Sequence, residues 1–324
     1  MRALPDLRAE LVGLIRQIRP GQAASYGQLA AALGDRVAAR WVGHAVRHEI
    51  AGANLPLHRI TLADGTLGGH IAADARSVLA LLAAEGVPLA GQRVDLPRAA
   101  ARLAGAAPLA RLRALQESFE PAIPERMKGR LRSVAGVDVS YRGNEAFAAY
   151  ALFASPGDGE PEFSLVHRRS VSFPYISGYL TFRELPCLLA LLDEVRHQDK
   201  LADVILVDGS GLLHPRRAGI ATMFGAVADV PTIGVTKKLL VGRMDRKPTT
   251  PSEAQPILVA GKPAGHVLLP SSGTARPLYV SPGHHVGVTE AIAIVRRCLG
   301  ERRLPTPIYW ADRLSRRAAK ECGS

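Results

Sequence analysis

A short apolar run that ends on a carboxylate constrains the fold of this chain more than any other feature. The run Ala202–Val207 is followed directly by Asp208 and Gly209. Apolar residues without polar alternation predict a strand that is buried on both faces, as in a parallel sheet covered by helices. A helix is predicted at Phe182–Arg196 before this strand, and a second buried strand at Pro231–Val235 after it. Alternating strands and helices predict an α/β layered fold.

Two aspartates lie where an α/β sheet places its chemistry. Asp208 follows a predicted strand, and Asp138 lies inside the predicted strand Arg132–Tyr141. A charge within an apolar strand is costly unless it is paired or bound to a cation, and ligands gather at the carboxyl ends of the strands. Separate carboxylates are ligands that Mg²⁺ accepts, and two such ions can hydrolyse a phosphodiester. From the residues alone, the alternative is that both aspartates cap turns or pair with arginines.

The chain of 324 residues is long enough for two domains. Residues 1–97 form one predicted unit, 98–108 are a low-complexity stretch that predicts a linker, and 109–324 carry the α/β pattern. The first unit is expected to be mainly helical, and its second and third helices resemble a helix-turn-helix of the winged type. Its predicted helices are Asp6–Arg19, Tyr26–Leu33, Val37–Arg47 and a last one near Asp74–Glu85.

Composition narrows the class of partner. The formal net charge of +12 indicates a polyanionic partner, either nucleic acid or a membrane surface, and a hydrophobic content of 47% argues against disorder. No apolar run is long enough to span a membrane, and the first ten residues lack the apolar core of a signal peptide. Three cysteines lack metal-ligand or disulfide spacing. A cytoplasmic protein without a membrane partner is therefore expected.

Six stretches within residues 109–324 resemble endonuclease V, the nuclease that acts at deaminated adenine (hypoxanthine, or inosine in the nucleotide). They are VAGVDVSY (134–141), FPYISGYLTFRELP (173–186), VDGSGLLHPRRAG (207–219), TIGVTKKL (232–239), PLYVSPGH (277–284) and LPTPIYWAD (304–312). Six blocks in the right order are a far more specific signal than a single short motif.

The resemblance implies a ribonuclease H-like fold and a metal-dependent active site. Mg²⁺, with Mn²⁺ as an expected substitute, would be bound by three carboxylates. In that assignment Lys237 neutralises charge on the phosphate, and His214 orients a water or assists proton transfer. The implied metal ligands are Asp138, Glu184 and Asp208, and the implied catalytic residues are these three with His214, Lys237 and Asp312.

The resemblance also implies a wedge that separates the DNA strands. Pro174, Tyr175 and Ile176 would fill the gap that a base leaves when it is extruded from the stack. This chain has Ser177 where the family usually has proline, and Ser210 where it usually has histidine. The first change predicts a less rigid wedge, and neither change removes a metal ligand.

Residues 5–97 resemble the O6-alkylguanine-DNA alkyltransferase family. Active members carry cysteine at the second place of a Pro-Xaa-His-Arg motif, where this chain has Leu57, so an alkyltransferase-like, non-catalytic lesion binder is implied. By this resemblance Arg40 intercalates in the duplex where a nucleotide has been extruded, and Tyr26 presses on the DNA backbone to promote that extrusion. Leu57 leaves an apolar pocket for an alkylated base. The matching runs are IRPG (18–21), SYGQLA (25–30), ARWVGHA (39–45), PLHRI (56–60) and EGV (85–87).

Together these features predict a DNA repair endonuclease that nicks on the 3′ side of deaminated bases and carries a non-catalytic alkylguanine-sensing domain. The expected partner is damaged double-stranded DNA, with single-stranded DNA or RNA as further candidates, and the expected state is a monomer. Two alternatives stay open: a lesion sensor with weak or no nuclease activity, and an inosine-specific ribonuclease. The complete carboxylate set favours a nuclease, and the DNA-binding type of the first domain argues against RNA.

Overall fold

The computed structural model describes residues 4–50, 54–71, 75–154, 159–270 and 276–322. Its contacts divide these residues into two compact units. Unit 1 comprises the chain up to Leu115 together with Phe173–Tyr179, and unit 2 comprises Gln116–Ser172 and the chain from Leu180 onward. None of the helices in these ranges is both long enough and apolar enough to cross a membrane.

Unit 1 is mainly helical, as the sequence predicts. Asp6 caps the first helix through its side chain, and Ser25 forms a capping box with Gln28 at the start of the second. Its elements are α1 (Leu7–Ile15), β1 (Ala24–Ser25), α2 (Tyr26–Ala32), α3 (Ala39–His48), β2 (Ile60–Thr61), α4 (Ala75–Ala84), β3 (Leu89–Ala90), β4 (Arg93–Val94), α5 (Leu96–Ala99) and α6 (Pro108–Glu117), whose last residues belong to unit 2.

Two predicted helices of unit 1 are shorter in the structure. The helix predicted to reach Arg19 ends at Ile15, because the next hydrogen bonds, from Gln17 N to Leu14 O and from Ile18 N to Ile15 O, are those of tighter turns. The helix predicted from Val37 begins as a 3-10 turn, Arg36–Ala38, which Asp35 caps and which leads directly into α3. Part of the last predicted helix, at Asp74, lies outside the described residues.

The stretch 98–108, predicted as a linker, differs from that expectation. Ala23 donates to Ala99 O over 2.8 Å and accepts from Ala101 N over 2.9 Å. The side-chain amide of Gln17 exchanges two hydrogen bonds of 2.9 Å with the backbone of Ala104. Small alanine side chains permit this close backbone approach, and the segment is therefore part of unit 1.

Unit 2 contains a mixed sheet, which has eight strands in the part of the chain that the structure describes. The strand order is β10-β11-β12-β9-β8-β5-β6-β7, and the central strands β9, β8 and β5 run parallel. Its elements are β5 (Val134–Arg142), β6 (Glu145–Phe153), β7 (Phe163–Ser170), α7 (Leu180–His197), β8 (Val204–Asp208), α8 (Ile220–Ala228), β9 (Thr232–Thr236), β10 (Ala254–Val259), β11 (Lys262–Leu268), β12 (Leu278–His284), α9 (Val288–Arg297) and α10 (Thr306–Glu321).

Helices cover the centre of this sheet on both faces. Residues Val204–Val207 of β8 are all buried, as the unbroken apolar run predicts. Val204 and Leu206 share one core cluster with residues of α9 and α10, while α7 and α8 pack against each other and against the sheet. Helix α10 lies very close to β5, because a Cβ at Gly136 would come within 2.1 Å of the carbonyl oxygen of Pro307.

Candidate functional site

The register of the two central strands brings Asp138 and Asp208 together. Strand β5 pairs in parallel with β8 so that Val137 lies opposite Val207, and each aspartate is the next residue of its strand. Glu184 lies near the start of α7, and Asp312 lies on α10. The sequence predicted both aspartates as metal ligands, and the structure places them at neighbouring positions on adjacent strands.

The carboxylates of this cluster repel one another. Burial, together with the nearby charges of Asp208 and Asp312, raises the pKa of Asp138 to about 6. Burial likewise raises the pKa of Glu184 to about 8, with Asp138 and Asp208 as additional causes. Carboxyl groups that disfavour ionisation together are typical of a site that holds a cation.

The donor set of this cluster fits a hard divalent cation. Asp138, Glu184 and Asp208 offer carboxylate oxygens from three separate elements, which is the ligand type that Mg²⁺ takes while it keeps several waters. A bound cation would offset the repulsion that raises the pKa of Asp138 and Glu184. The residues present therefore fit the metal that the fold implies.

Lys237 lies beside the carboxylates. Strand β9 runs parallel to β8 with Val235 opposite Asp208, and it ends one residue before Lys237. The Lys237 ammonium donates to Asp208 Oδ2 over 2.7 Å, and about two fifths of its side chain is exposed (39%). An ammonium group in this position can approach the phosphate of a substrate that lies beside the carboxylates.

His214 is buried on the loop that follows β8. Its Nδ1 accepts the Arg216 backbone N–H over 3.2 Å, which leaves the proton of the neutral ring on Nε2. Burial lowers the pKa of His214 to about 4, and the charge of Arg216 contributes. His214 is thus a neutral hydrogen-bond donor at neutral pH.

Glycines shape the turn between Asp208 and this loop. A Cβ at Gly211 would come within 2.1 Å of Pro282 O, and one at Gly234 would come within 2.4 Å of Gly211 N. Only a backbone without side chains fits so closely beside β9 and β12. Ser210, where the resemblance leads one to expect histidine, is buried in this turn, and its carbonyl accepts from Ala221 N over 3.1 Å.

The three residues of the predicted wedge differ in their exposure to solvent. Tyr175 is 68% exposed, whereas Ile176 is 2% exposed and Pro174 is also buried. The expectation that all three residues face the DNA stack is therefore not met, since Tyr175 projects while its two neighbours anchor the loop. Tyr179 closes this segment of unit 1 with a hydrogen bond of 2.6 Å from its hydroxyl to Asp35.

In unit 1, Tyr26 and Arg40 line one cavity of about 340 Å³. Helix α3 contributes three further basic residues to its wall, which are His44, Arg47 and His48. A concave surface with basic side chains is suited to the backbone of nucleic acid. The structure thus brings together the two residues that the resemblance assigns to base extrusion.

Leu57 is not among the residues that line this cavity. Its carbonyl accepts from His70 Nε2 over 3.0 Å, and His70 Nδ1 accepts from the Tyr26 hydroxyl over 2.8 Å. His70 therefore connects the backbone of the Pro-Leu-His-Arg motif to Tyr26. Sequence reasoning missed this histidine, because no motif or spacing marks it.

The two residues after Leu57 have structural roles. Arg59 donates to both carboxylate oxygens of Glu85 over 2.7 Å, and His58 Nε2 lies 3.0 Å from Glu85 Oε1. The Arg59 and His58 partners lower the pKa of Glu85 to about 2. Arg59 also donates to Ile18 O over 2.7 Å, so this cluster connects the motif to the turn that follows α1.

A second group of ligand-type side chains in unit 2 is structural. The ligand atoms of Asp229, His284 and His285 lie within 4.8 Å of one another. His284 Nδ1 accepts the N–H of Ala122 over 3.2 Å, which places the proton of the neutral ring on Nε2, the atom that faces Asp229. A protonated nitrogen offers no lone pair to a metal, and His285 N also donates to Ala122 O over 2.7 Å.

A family model described as Endonuclease V matches residues 116–313, which is more than half of the chain. The chain belongs to the endonuclease V family. Endonuclease V of Roseiflexus sp. (strain RS-1) is 39% identical over 208 residues, which cover 64% of this chain and 91% of that protein. Endonuclease V of Nostoc punctiforme is 38% identical over 193 residues, which cover 59% of this chain and 85% of that protein.

A solved structure gives the same assignment. The crystal structure of the catalytic domain of human Endonuclease V is 30% identical, with a TM-score of 0.58, and covers 65% of this chain and 94% of that one. This likeness confirms the predicted ribonuclease H-like α/β fold. The family model of the DNA-binding domain of 6-O-methylguanine DNA methyltransferase matches residues 6–87 and confirms the predicted fusion.

This endonuclease V family member is therefore a DNA repair endonuclease with an additional DNA-binding domain at its N-terminal end. The two family matches leave residues 88–115 outside both, and most of that stretch packs with unit 1. The domain limits at 97 and 109 and the roles of single residues stay predictions.

Proposed function

We propose that this endonuclease V family member hydrolyses a phosphodiester on the 3′ side of hypoxanthine in DNA. The convergence of Asp138, Glu184 and Asp208 at the centre of the sheet carries this proposal. We further propose that these residues bind Mg²⁺, with Mn²⁺ as a substitute. When bound, the metal supplies activation of the attacking water and stabilisation of the leaving oxygen.

The chain's own residues have separate tasks in this proposal. Lys237 leaves Asp208 for a non-bridging phosphate oxygen as the phosphate arrives, because both groups compete for one ammonium. His214, neutral with its proton on Nε2, donates a hydrogen bond that orients a water or an oxygen of the phosphate. Tyr175, the exposed residue of the wedge loop, stacks where the base is extruded.

The N-terminal domain is proposed to bind alkylated guanine without repairing it. Tyr26 and Arg40 share a basic cavity, and Leu57 holds the place of the nucleophile in active alkyltransferases. A leucine side chain cannot accept an alkyl group. A labelled methyl group on O6-methylguanine DNA should therefore not be transferred to this protein.

A cleavage panel tests the proposed function. Full-length protein is incubated with Mg²⁺ and end-labelled duplexes that contain inosine, O6-methylguanine, uracil or no lesion, and with inosine RNA. Nicking of inosine DNA on its 3′ side supports the proposal. Preference for RNA would favour the ribonuclease alternative, and binding of every lesion without nicking would favour the sensor.

A further inference from the structure

A buried hydroxyl on α10 contacts the metal-ligand candidate Asp138. Ser315 Oγ donates to Asp138 Oδ2 over 3.0 Å, and the Ser315 side chain has no exposed surface. The same oxygen lies 2.8 Å from Ser140 Oγ and 3.1 Å from the carbonyl oxygen of Asp312. This hydrogen bond restricts the orientation of the Asp138 carboxylate.

The protons of this group can be assigned. Ser315 carries one hydroxyl proton, for which Asp138 and the Asp312 carbonyl compete. A hydrogen bond to a carboxylate is stronger than one to a neutral carbonyl, so an ionised Asp138 takes this proton. Ser140 can then donate to the free lone pair of Ser315, and the chain of donors runs from Ser140 through Ser315 to Asp138.

Helix α10 is held in the place that this contact requires. Its first turn lies against β5 at Gly136, where a side chain would collide with Pro307 O. Asp312 and Ser315 are three residues apart and lie on the same face of the helix. One helical face therefore presents both the last carboxylate of the cluster and the hydroxyl donor.

We propose that Ser315, supported by Ser140, is a positioning residue for Asp138. Its hydrogen bond would hold Asp138 Oδ2 in place, and Asp138 Oδ1 would then be available as the ligand of a bound cation. This inference rests on the proposed metal-dependent function. Partners that orient a metal ligand typically contribute 10–100-fold to metal affinity or activity.

The test measures metal binding directly, in full-length protein without DNA. Mn²⁺ is titrated and the free ion is followed by electron paramagnetic resonance. Ser315→Ala should weaken the tightest Mn²⁺ binding by about tenfold or more. Ser315→Thr, which keeps a hydroxyl, should restore most of the affinity, and Ser140→Ala should cause a smaller loss because the direct contact to Asp138 persists.

Thr222→Val is the matched control. Thr222 is also a fully buried hydroxyl of unit 2, and within the described residues its Oγ1 has no hydrogen-bond partner. This variant should bind Mn²⁺ like the wild type. A purely structural role for Ser315 predicts that Ser315→Ala and Thr222→Val behave alike, and that result would overturn the proposal.

Two further outcomes are separated by the same titration. If Asp138→Asn binds Mn²⁺ as tightly as the wild type, the metal centre itself is wrong, whatever Ser315 does. If Ser315→Ala does not fold, as judged by circular dichroism, the Ser140→Ala variant provides the test. Unchanged Mn²⁺ affinity in Ser140→Ala would then overturn the proposal. In the folded variants, the Mg²⁺ concentration for half-maximal nicking should rise, while the nicking rate at saturating Mg²⁺ should change less.

Discussion

Two carboxylate sites in this molecule have opposite electrostatics. In unit 1, Glu85 accepts hydrogen bonds from Arg59 and His58, and its pKa falls to about 2. In unit 2, Asp138 and Glu184 have mainly other carboxylates as charged neighbours, and their pKa values rise to about 6 and about 8. The first site is complete within the protein, whereas the second, in our proposal, is incomplete until a cation binds. The difference separates a structural ion pair from the proposed reactive centre without reference to any motif.

The largest expected effect is on chemistry at the incomplete site. Asp138→Asn or Asp208→Asn should reduce nicking of inosine DNA by about a thousandfold or more, because several kcal/mol of metal-dependent stabilisation disappear. DNA binding, measured by gel shift in Ca²⁺, should persist. Asp193→Asn is the control, since Asp193 is an exposed residue of α7 that pairs with Arg196. Undiminished cutting by either active-site variant would refute the metal assignment.

The second prediction concerns the pH dependence of metal binding. The raised pKa values of about 6 for Asp138 and about 8 for Glu184 mean that protons must leave when a cation binds. Mg²⁺ affinity should therefore rise between pH 6 and pH 8, by up to about tenfold per pH unit for each proton released. Calorimetry in buffers of different ionisation enthalpy counts these protons. Flat affinity across this range would show that the carboxylates are already ionised in the free protein.

A third prediction compares how the carboxylates of the two sites contribute to the free energy of unfolding of the protein, measured in EDTA. Glu85→Gln should lower the free energy of unfolding at pH 7 by about 2 kcal/mol, because charge-assisted hydrogen bonds are lost. The pKa of Glu85 is lowered, so this contribution is present above the usual pKa near 4.5 and is lost as pH falls toward 2. Urea denaturation at pH 7 and pH 3 should show the difference between wild type and variant shrinking at the lower pH.

Glu184→Gln should act with the opposite sign. The pKa of Glu184 is raised, so the folded protein binds more protons than the unfolded chain between about 4.5 and 8, and wild-type stability in EDTA falls as pH rises through that window. The amide variant lacks this loss and should be the more stable protein at pH 8. If Glu184→Gln instead lowers the free energy of unfolding at pH 8, as Glu85→Gln is expected to do at pH 7, the two sites do not differ in the way described.

The smallest expected effect concerns lesion recognition by unit 1. Arg40→Ala should weaken the binding of O6-methylguanine duplexes by about tenfold, in the range of one residue that enters the stack or contacts bases. Nicking of inosine DNA should change little. Arg76→Ala serves as the control, because Arg76 lies on α4 and does not line the cavity. Equal binding of damaged and undamaged duplexes by the wild type would remove the proposed sensing role.

The centre of the nuclease could be predicted from the sequence because burial on both faces requires an unbroken run of apolar side chains. The run before Asp208 indicated the parallel strand, and the register then brought Asp138 beside it. Ile176 shows the limit of that reasoning. Its residue type suits both a wedge and a core, and only the fold decides that it is buried.

Contacts made by backbone atoms or by single hydroxyl groups could not be predicted. Ser315 and His70 are distinguished only by the geometry of a few hydrogen bonds, and neither belongs to a periodic pattern. The packing of 98–108 against unit 1 was missed for a related reason. Low complexity predicts flexibility, but the hydrogen bonds of Ala23 with Ala99 and Ala101 involve only backbone atoms and do not depend on side-chain chemistry.

The anchoring of this alanine-rich segment has a consequence for limited proteolysis and for truncation. A protease needs an extended stretch of several residues that it can draw into its own cleft, and backbone groups already engaged by Ala23 and Gln17 resist that. Residues 98–104 should thus survive trypsin despite Arg98 and Arg102. A truncated form that stops at residue 97 would lose the partners of Ala23, so an N-terminal fragment intended for DNA-binding work should extend to Leu115.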